Sequence, residues 1–269
     1  MHKRSLMVCA SLLVLALVAG CGGGSNETNL PPPPGVGAPG GAPTFDMSKA
    51  NATVTGKISF EGTPPPNDKI QMSADPYCAQ RAAQNPTTET VKVSDGGLEN
   101  VIVYLSSGLP ADAIYATPTT PVEINQENCH YIPHVFTMMT KQLLKIKNSD
   151  ATLHNIHAFA MKNPQFNVGQ PTQNLVRDEK FAIPEMPIPV RCDVHKWMGA
   201  FIGVFNHPFH TVSKSGGSFE LKLPPGNYEI TAWHEKFGTK TTMVQVGDND
   251  KKEVNFSFSA NDKGTPTAD

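Results

Sequence analysis

Apolar and polar residues alternate along this chain in short stretches. Leu143-Leu144-Lys145-Ile146-Lys147 reads as a strand running into an Asn148-Ser149-Asp150 turn, with Leu153-His154-Asn155-Ile156 following it. Ser218-Phe219-Glu220-Leu221-Lys222-Leu223 predicts a half-buried strand, Pro224-Pro225-Gly226-Asn227 a turn, and Tyr228 to Trp233 a second strand. Further strands are expected at 241–246 and 253–258. No long 3.6-residue periodicity follows the N-terminal apolar run, and Pro or Gly recurs roughly every dozen residues. The pattern predicts an all-β protein of short strands and many turns.

The N-terminus has a separate logic. A basic start (His2, Lys3, Arg4), an apolar run from Leu6 to Val18 and small residues at Ala19 and Gly20 give the layout of a secretory signal peptide. Val18-Ala19-Gly20-Cys21 resembles the lipobox of bacterial lipoproteins. That resemblance implies loss of residues 1–20 and acylation of Cys21, which anchors the chain in a membrane on the periplasmic or extracellular face of the cell envelope. Gly22 favours the outer membrane where the source has two. An ordinary signal peptide cut elsewhere, with Cys21 incidental, is the alternative. Residues 21–51, rich in Gly and Pro, read as a flexible spacer, and 260–269 as a disordered tail.

Charge and cysteine count narrow the picture. With 22 basic and 24 acidic residues, no polyanion-binding surface is implied and no nucleic-acid partner is expected. Cys9 would leave with the leader and Cys21 would carry lipid, so Cys78, Cys129 and Cys192 remain. Three is an odd number for an oxidising compartment, so one thiol is unpaired or has another task. Cys78 and Cys129 sit in polar, loop-like settings and could pair, which leaves Cys192.

Cys192 opens the most concentrated chemistry in the chain. "RCDVHKWMGAF" at 191–201 spaces a thiol, an imidazole and a thioether as Cys192-x2-His195-x2-Met198. A copper centre that cycles between two oxidation states asks for one thiolate, two imidazoles and a weak thioether. His154, just past the turn, can supply the second imidazole from a distant strand. His157 is its rival, and is otherwise a neighbour of the site or a surface residue. Bland readings stand beside each residue: Cys192 as a small buried hydrophobe, Met198 next to Trp197 as core filling, His195 as a surface histidine. Structural zinc fits poorly, for no Cys-x2-Cys pair occurs and the one His-x3-His spacing, His130 to His134, lies in what reads as strand, not helix. Hydrolase chemistry fits poorly too, in the absence of a G-x-S-x-G elbow.

A histidine after an Asn/Asp-rich turn, then Asn155, then Cys-x2-His-x2-Met, resembles the cupredoxins, the plastocyanin- and amicyanin-like blue copper proteins. The resemblance implies a Greek-key β-sandwich over residues 111–206 holding one mononuclear type 1 copper. His154, Cys192 and His195 would be the equatorial ligands and Met198 the axial one. Asn155 would tie the two ligand loops together, with His157 and Trp197 around them. The implied function is single-electron transfer with redox partner proteins of the cell envelope, not catalysis. The competing readings are a non-redox β-sandwich lipoprotein that binds carbohydrate or protein, and a passive copper-binding protein.

The flanks look different. Gly217-x-Phe219-x-Leu221-x-Leu223-Pro224-Pro225-Gly226-x-Tyr228 resembles carboxypeptidase regulatory-like (transthyretin-like) β-sandwich modules, whose opening strands match "VTGKISFEG" at 54–62 and "LENVIVYL" at 98–105. The expectation is one sandwich from 52–110 and 207–259 with the cupredoxin unit inserted; tandem domains or a single elaborated cupredoxin are the alternatives. His130, His134, His207 and His210 are expected at surface or edge positions, with a second, weaker copper site as the other option. His234, in Trp233-His234-Glu235, is either structural, solvent-facing or close to the copper loop, where it would assist electron uptake.

Overall fold

The computed structural model describes residues 44–264. The expected signal peptide, the lipidated Cys21, the spacer up to residue 43 and residues 265–269 lie outside the described residues. The described part is all-β: nineteen strands, one short helix at Pro76–Arg81 and two 3-10 turns.

Two hydrophobic cores organise it. In the first, Ala52–Glu61 points Ala52, Val54, Ile58 and Phe60 inward at alternate positions, as a strand with one buried face must. It pairs antiparallel with Ser218–Leu223, from Ala52 opposite Leu223 to Lys57 opposite Ser218. A second sheet, ordered His210–Val212, Ile102–Ser107, Gly226–His234, Gly238–Val246, supplies Val103, Leu105, Ile230 and Ala232 to the same core. Burying Val103, Leu105 or Ile230 contributes about 1.5–3 kcal/mol each, and the smaller Ala232 less. Gly217, at φ 74°, lies so close to the strand Ala52–Glu61 that a Cβ would fall 2.2 Å from the Ile58 carbonyl oxygen, so only glycine fits there.

The strand expected at 253–258 is broken into Lys251–Glu253 and Phe256–Ser259. Between them the side-chain Oδ1 of Asn255 replaces a backbone acceptor and takes the Lys57 N–H at 2.8 Å. The expected turn at 224–227 is also shorter, because Gly226 and Asn227 already pair with Val246 and Gln245.

The second core is built almost wholly from the chain between those pieces. One sheet runs Phe166–Gln170, His154–Ala158, Glu185–Arg191, Gly199–Phe205, Val135–Met139; the other runs Val176–Glu179, Leu144–Asn148, Val122–Glu127, His130–Ile132. Ile124, Ile146, Ile156, Ile188, Val190 and Ile202 fill the space between them. A smaller cluster of Ile102, Val135, Phe205 and Trp233 joins the two cores.

Three segments depart from the boundaries expected from sequence. Ile70, Met72 and Cys78 pack in the second core rather than the first, because Cys78 is bonded to Cys129, at S–S 2.01 Å. Within the expected spacer, Phe45 donates its N–H to the Ile114 carbonyl and its ring meets Tyr115 and Phe209, so regular contacts begin before residue 52. Within the expected tail, Gly264 N bonds Lys236 O and Asp262 pairs with Lys240.

Candidate metal centre

Asn148 ends its strand and shapes the first loop. Its Oδ1 accepts the Asp150 N–H at 3.0 Å, while its Nδ2 donates to the carbonyls of Thr152 at 3.1 Å and Gln170 at 2.9 Å. A buried side-chain amide bonded this fully fixes the turn. Asp150 is thereby held beneath His154: its Oδ2 lies 2.9 Å from His154 Nε2, and the N–H groups of Asn128 and Cys129 donate to the same carboxylate at 2.9 and 2.8 Å. His154, fully buried, turns its other nitrogen, Nδ1, to the Nδ1 of His195 at 2.9 Å.

The second loop joins the paired strands Glu185–Arg191 and Gly199–Phe205. Cys192 N donates to Met198 O at 3.2 Å and Met198 N to His195 O at 2.9 Å, closing a tight loop at its base. Inside it, the His195 N–H points at Cys192 Sγ at 3.3 Å. Asn155 bolts this loop to the first: its Oδ1 accepts from Asp193 N at 2.7 Å, from Val194 N at 3.3 Å and from the Cys192 thiol at 3.2 Å. The Tyr131 hydroxyl in turn donates to the Asn155 carbonyl in a short hydrogen bond.

The outer nitrogen of His195, Nε2, faces Asp75 Oδ2 at 2.9 Å. Asp75 is the N-cap of the Pro76–Arg81 helix, its other oxygen accepting from Tyr77 N and Cys78 N. The Cys78–Cys129 disulfide therefore holds that cap over His195, with Cys78 Sγ 3.7 Å from Nε2.

These contacts set the charges. Burial opposes the Cys192 thiolate, but hydrogen bonds from His154, His195 and neighbouring backbone outweigh it and bring the thiol down to about 6. Burial likewise opposes protonation of His154 and His195, yet their bonds to Asp150, Asp75 and Cys192 raise both above the ordinary imidazole value. Asp150 and Asp75 stay below theirs despite burial, through their hydrogen bonds.

The ligand atoms of His154, Cys192 and His195 lie within 4.8 Å of one another. One soft thiolate and two imidazoles, each imidazole backed by a carboxylate, form a donor set that fits copper. Two neighbouring trios, Asp75-Cys78-His195 and Cys129-Asp150-His154, contain disulfide sulfurs and offer no thiolate. Met198 is buried at the base of the same loop. Trp197 is half-buried, its ring centroid 5.0 Å from that of His195 and its Nε1 donating to Cys129 O at 3.0 Å. His157 faces away from the trio, against Asp193 and Asn167, and stacks on Phe159.

The remaining histidines are spread through the fold. None belongs to a three-residue ligand group among the described residues. Contrary to the surface or edge expectation, His207 is buried, stacked against Phe209; His210 lies on an edge strand, as expected, but with both ring nitrogens buried and its ring stacked against Phe205. His234 is fully buried against Phe237 and is not solvent-facing. His134 is paired with Glu235, and His130, partly exposed, bonds Asn128 O.

Sequence reasoning missed Asp75, Asp150 and Tyr131. Asp150 had a signal, four residues ahead of His154 in the turn. Asp75 is 120 residues from His195, and no local pattern links them.

No family model and no curated protein matches the chain. Among solved structures, it is similar to the copper-containing nitrite reductase from Thermus scotoductus SA-01, at 16% identity over 38% of this chain and 26% of that one, with a TM-score of 0.31. It thus spans about a quarter of that enzyme's length. It is also similar to a purple cupredoxin from Nitrosopumilus maritimus, at 16% identity over 31% of this chain and 98% of that one, TM-score 0.27. For amicyanin from Paracoccus versutus the values are 18% identity, 38% and 96% coverage, and a TM-score of 0.29.

Proposed function

We propose that this protein is a type 1 copper protein that carries single electrons, exported and held at the cell envelope by a lipid on Cys21, with redox partner proteins there. The observation that carries the reading is the convergence of His154, Cys192 and His195 in a buried cluster whose two loops are fastened by Asn155. These residues would hold the metal, with Met198 as the weak fourth donor. Bound copper supplies a reversible one-electron couple.

The chain's own work is preorganisation. Asp150 and Asp75 orient the two imidazoles with Nδ1 inward, Asn155 and the His195 N–H hold the Cys192 sulfur, and burial excludes water. Such a cage changes little between oxidation states, which favours fast electron exchange. Four protein donors leave no open position for a substrate, so the reading is a carrier and not an enzyme. The sandwich formed by 52–110 and 207–259 reads as a carboxypeptidase regulatory-like module carrying the copper unit.

Copper added to the metal-free protein should give an intense thiolate-to-metal absorption in the visible range, which Cys192→Ser abolishes. A colour that survives this substitution, or stoichiometric copper binding without one, rejects the type 1 assignment.

A further inference from the structure

Resting on the copper reading, we propose that electrons reach and leave the centre through the indole of Trp197, and not through a ligand histidine at the surface. His154 is fully buried and His195 98% so, and each has its outward nitrogen bonded to a carboxylate, Asp150 and Asp75. The disulfide-fastened helix Pro76–Arg81 contributes the cap on His195. Cys192 and Met198 are buried as well. Met198, though buried, lines the cavity beside Trp197, and the three equatorial donors offer no edge to solvent.

Trp197 does. Its ring lies against the His195 imidazole, centroids 5.0 Å apart, and the residue also lines a half-open cavity of about 150 Å³ together with Glu89, His134, Arg191 and Glu235. The hydrogen bond from Nε1 to Cys129 O fixes the indole plane. A π-system that touches a ligand ring and also lines a solvent-reached cavity offers an electron a route between the two. In reduction, one electron passes from an external one-electron donor to the cupric ion; no bond forms or breaks and no proton moves. The indole mediates and is itself neither oxidised nor reduced. The rival path leaves on the other side, from Cys192 through Asn155 to Asp193 and His157.

The test uses the copper-loaded chain with Trp197→Leu, Trp197→Phe and His157→Ala. Visible spectrum and reduction potential report the site itself, and stopped-flow reduction by hexaammineruthenium(II) reports the route. In metal-free Trp233→Phe protein, where Trp197 is the remaining tryptophan, iodide quenching reports whether solvent reaches the indole. Expected are an unchanged spectrum and potential, a rate lowered by roughly tenfold or more in Trp197→Leu, a smaller loss in Trp197→Phe, no loss in His157→Ala, and efficient quenching. An unchanged rate in Trp197→Leu, a loss that appears instead in His157→Ala, or an unquenched indole overturns the proposal. Should Trp197→Leu lose its colour, the Phe variant decides, since an aromatic ring keeps the packing. A wild-type chain that takes up copper without colour defeats the copper reading itself, a result separate from any of these.

Discussion

His154 and His195 face each other through Nδ1 at 2.9 Å while a buried carboxylate holds the far side of each ring, Asp150 on one and Asp75 on the other. Ring orientation and tautomer are thus chosen by residues that touch no metal. One nitrogen per ring is committed outward, and the other is left to converge on the sulfur of Cys192.

Asp150→Asn and Asp75→Asn should therefore each weaken copper binding by about 10–100-fold, with the polypeptide still folded. Competition against a chromophoric chelator measures this. Equal affinity in both variants would mean that the carboxylates serve the loops alone.

The Cys78–Cys129 bridge closes a stretch of 51 residues. Chain-entropy arguments give such a bridge about 4 kcal/mol, with observed values commonly 2–4. Replacing both cysteines by serine should lower stability by about 2–4 kcal/mol in urea titrations. It should also weaken copper binding, because Asp75 loses its tether over His195. A destabilised variant with unaltered copper affinity would separate the bridge from the site.

Much of this was legible in sequence for local reasons. Alternation placed the strands, and the turn at Asn148 to Asp150 placed His154, because a period of two and an Asx turn are written in adjacent residues. The Cys-x2-His spacing marked the loop that brings Cys192 and His195 to His154 for the same reason. Part of what stayed hidden is long-range. The Asp75–His195 contact depends on how a helix is carried across to another core. His207 and His210 meet Phe205 and Phe209 within their own stretch of chain, and His234 meets Phe237 nearby and Phe258 from a distant strand. Polar residue type predicted exposure there, and packing overruled it. The break at Asn255 escaped too, since a side chain standing in for a backbone acceptor leaves no mark in the apolar pattern.

Those buried histidines set an acid limit. Burial pushes His207 down to about 4 and His210 and His234 down to about 3. The folded state keeps them neutral while the unfolded chain takes up protons below its ordinary value of about 6.5. Stability is therefore unaffected by these groups above that pH and is lost progressively as pH falls from there toward 4 and 3. By linkage each costs about 2 kcal/mol at pH 5. His210, with neither ring nitrogen hydrogen-bonded, is the cleanest probe: His210→Phe should flatten the loss between pH 7 and 5 by about 2 kcal/mol in chemical denaturation. An unaltered slope would show that His210 is protonated in the fold.

The His134–Glu235 pair gives the opposite sign. His134 opens into the strand Val135–Met139 and Glu235 follows Gly226–His234, so the pair ties one core to the other. Both side chains are only 12% and 11% exposed. Burial would lower the His134 value, but the bond to Glu235 outweighs it and raises the imidazole above its ordinary range. A group raised in the fold contributes stability that is fully present below its unfolded value, about 6.5, and that disappears as pH climbs through the folded one. Glu235→Gln removes the partner and leaves a buried imidazolium uncompensated, so it should cost about 3 kcal/mol at pH 6. The same variant should approach wild-type stability at alkaline pH, where His134 is neutral in both. Urea titrations of the two proteins at pH 6 and at pH 10 measure the gap. If it is equally wide at both, the carboxylate acts through packing and neutral hydrogen bonding, and no charge couples the two cores.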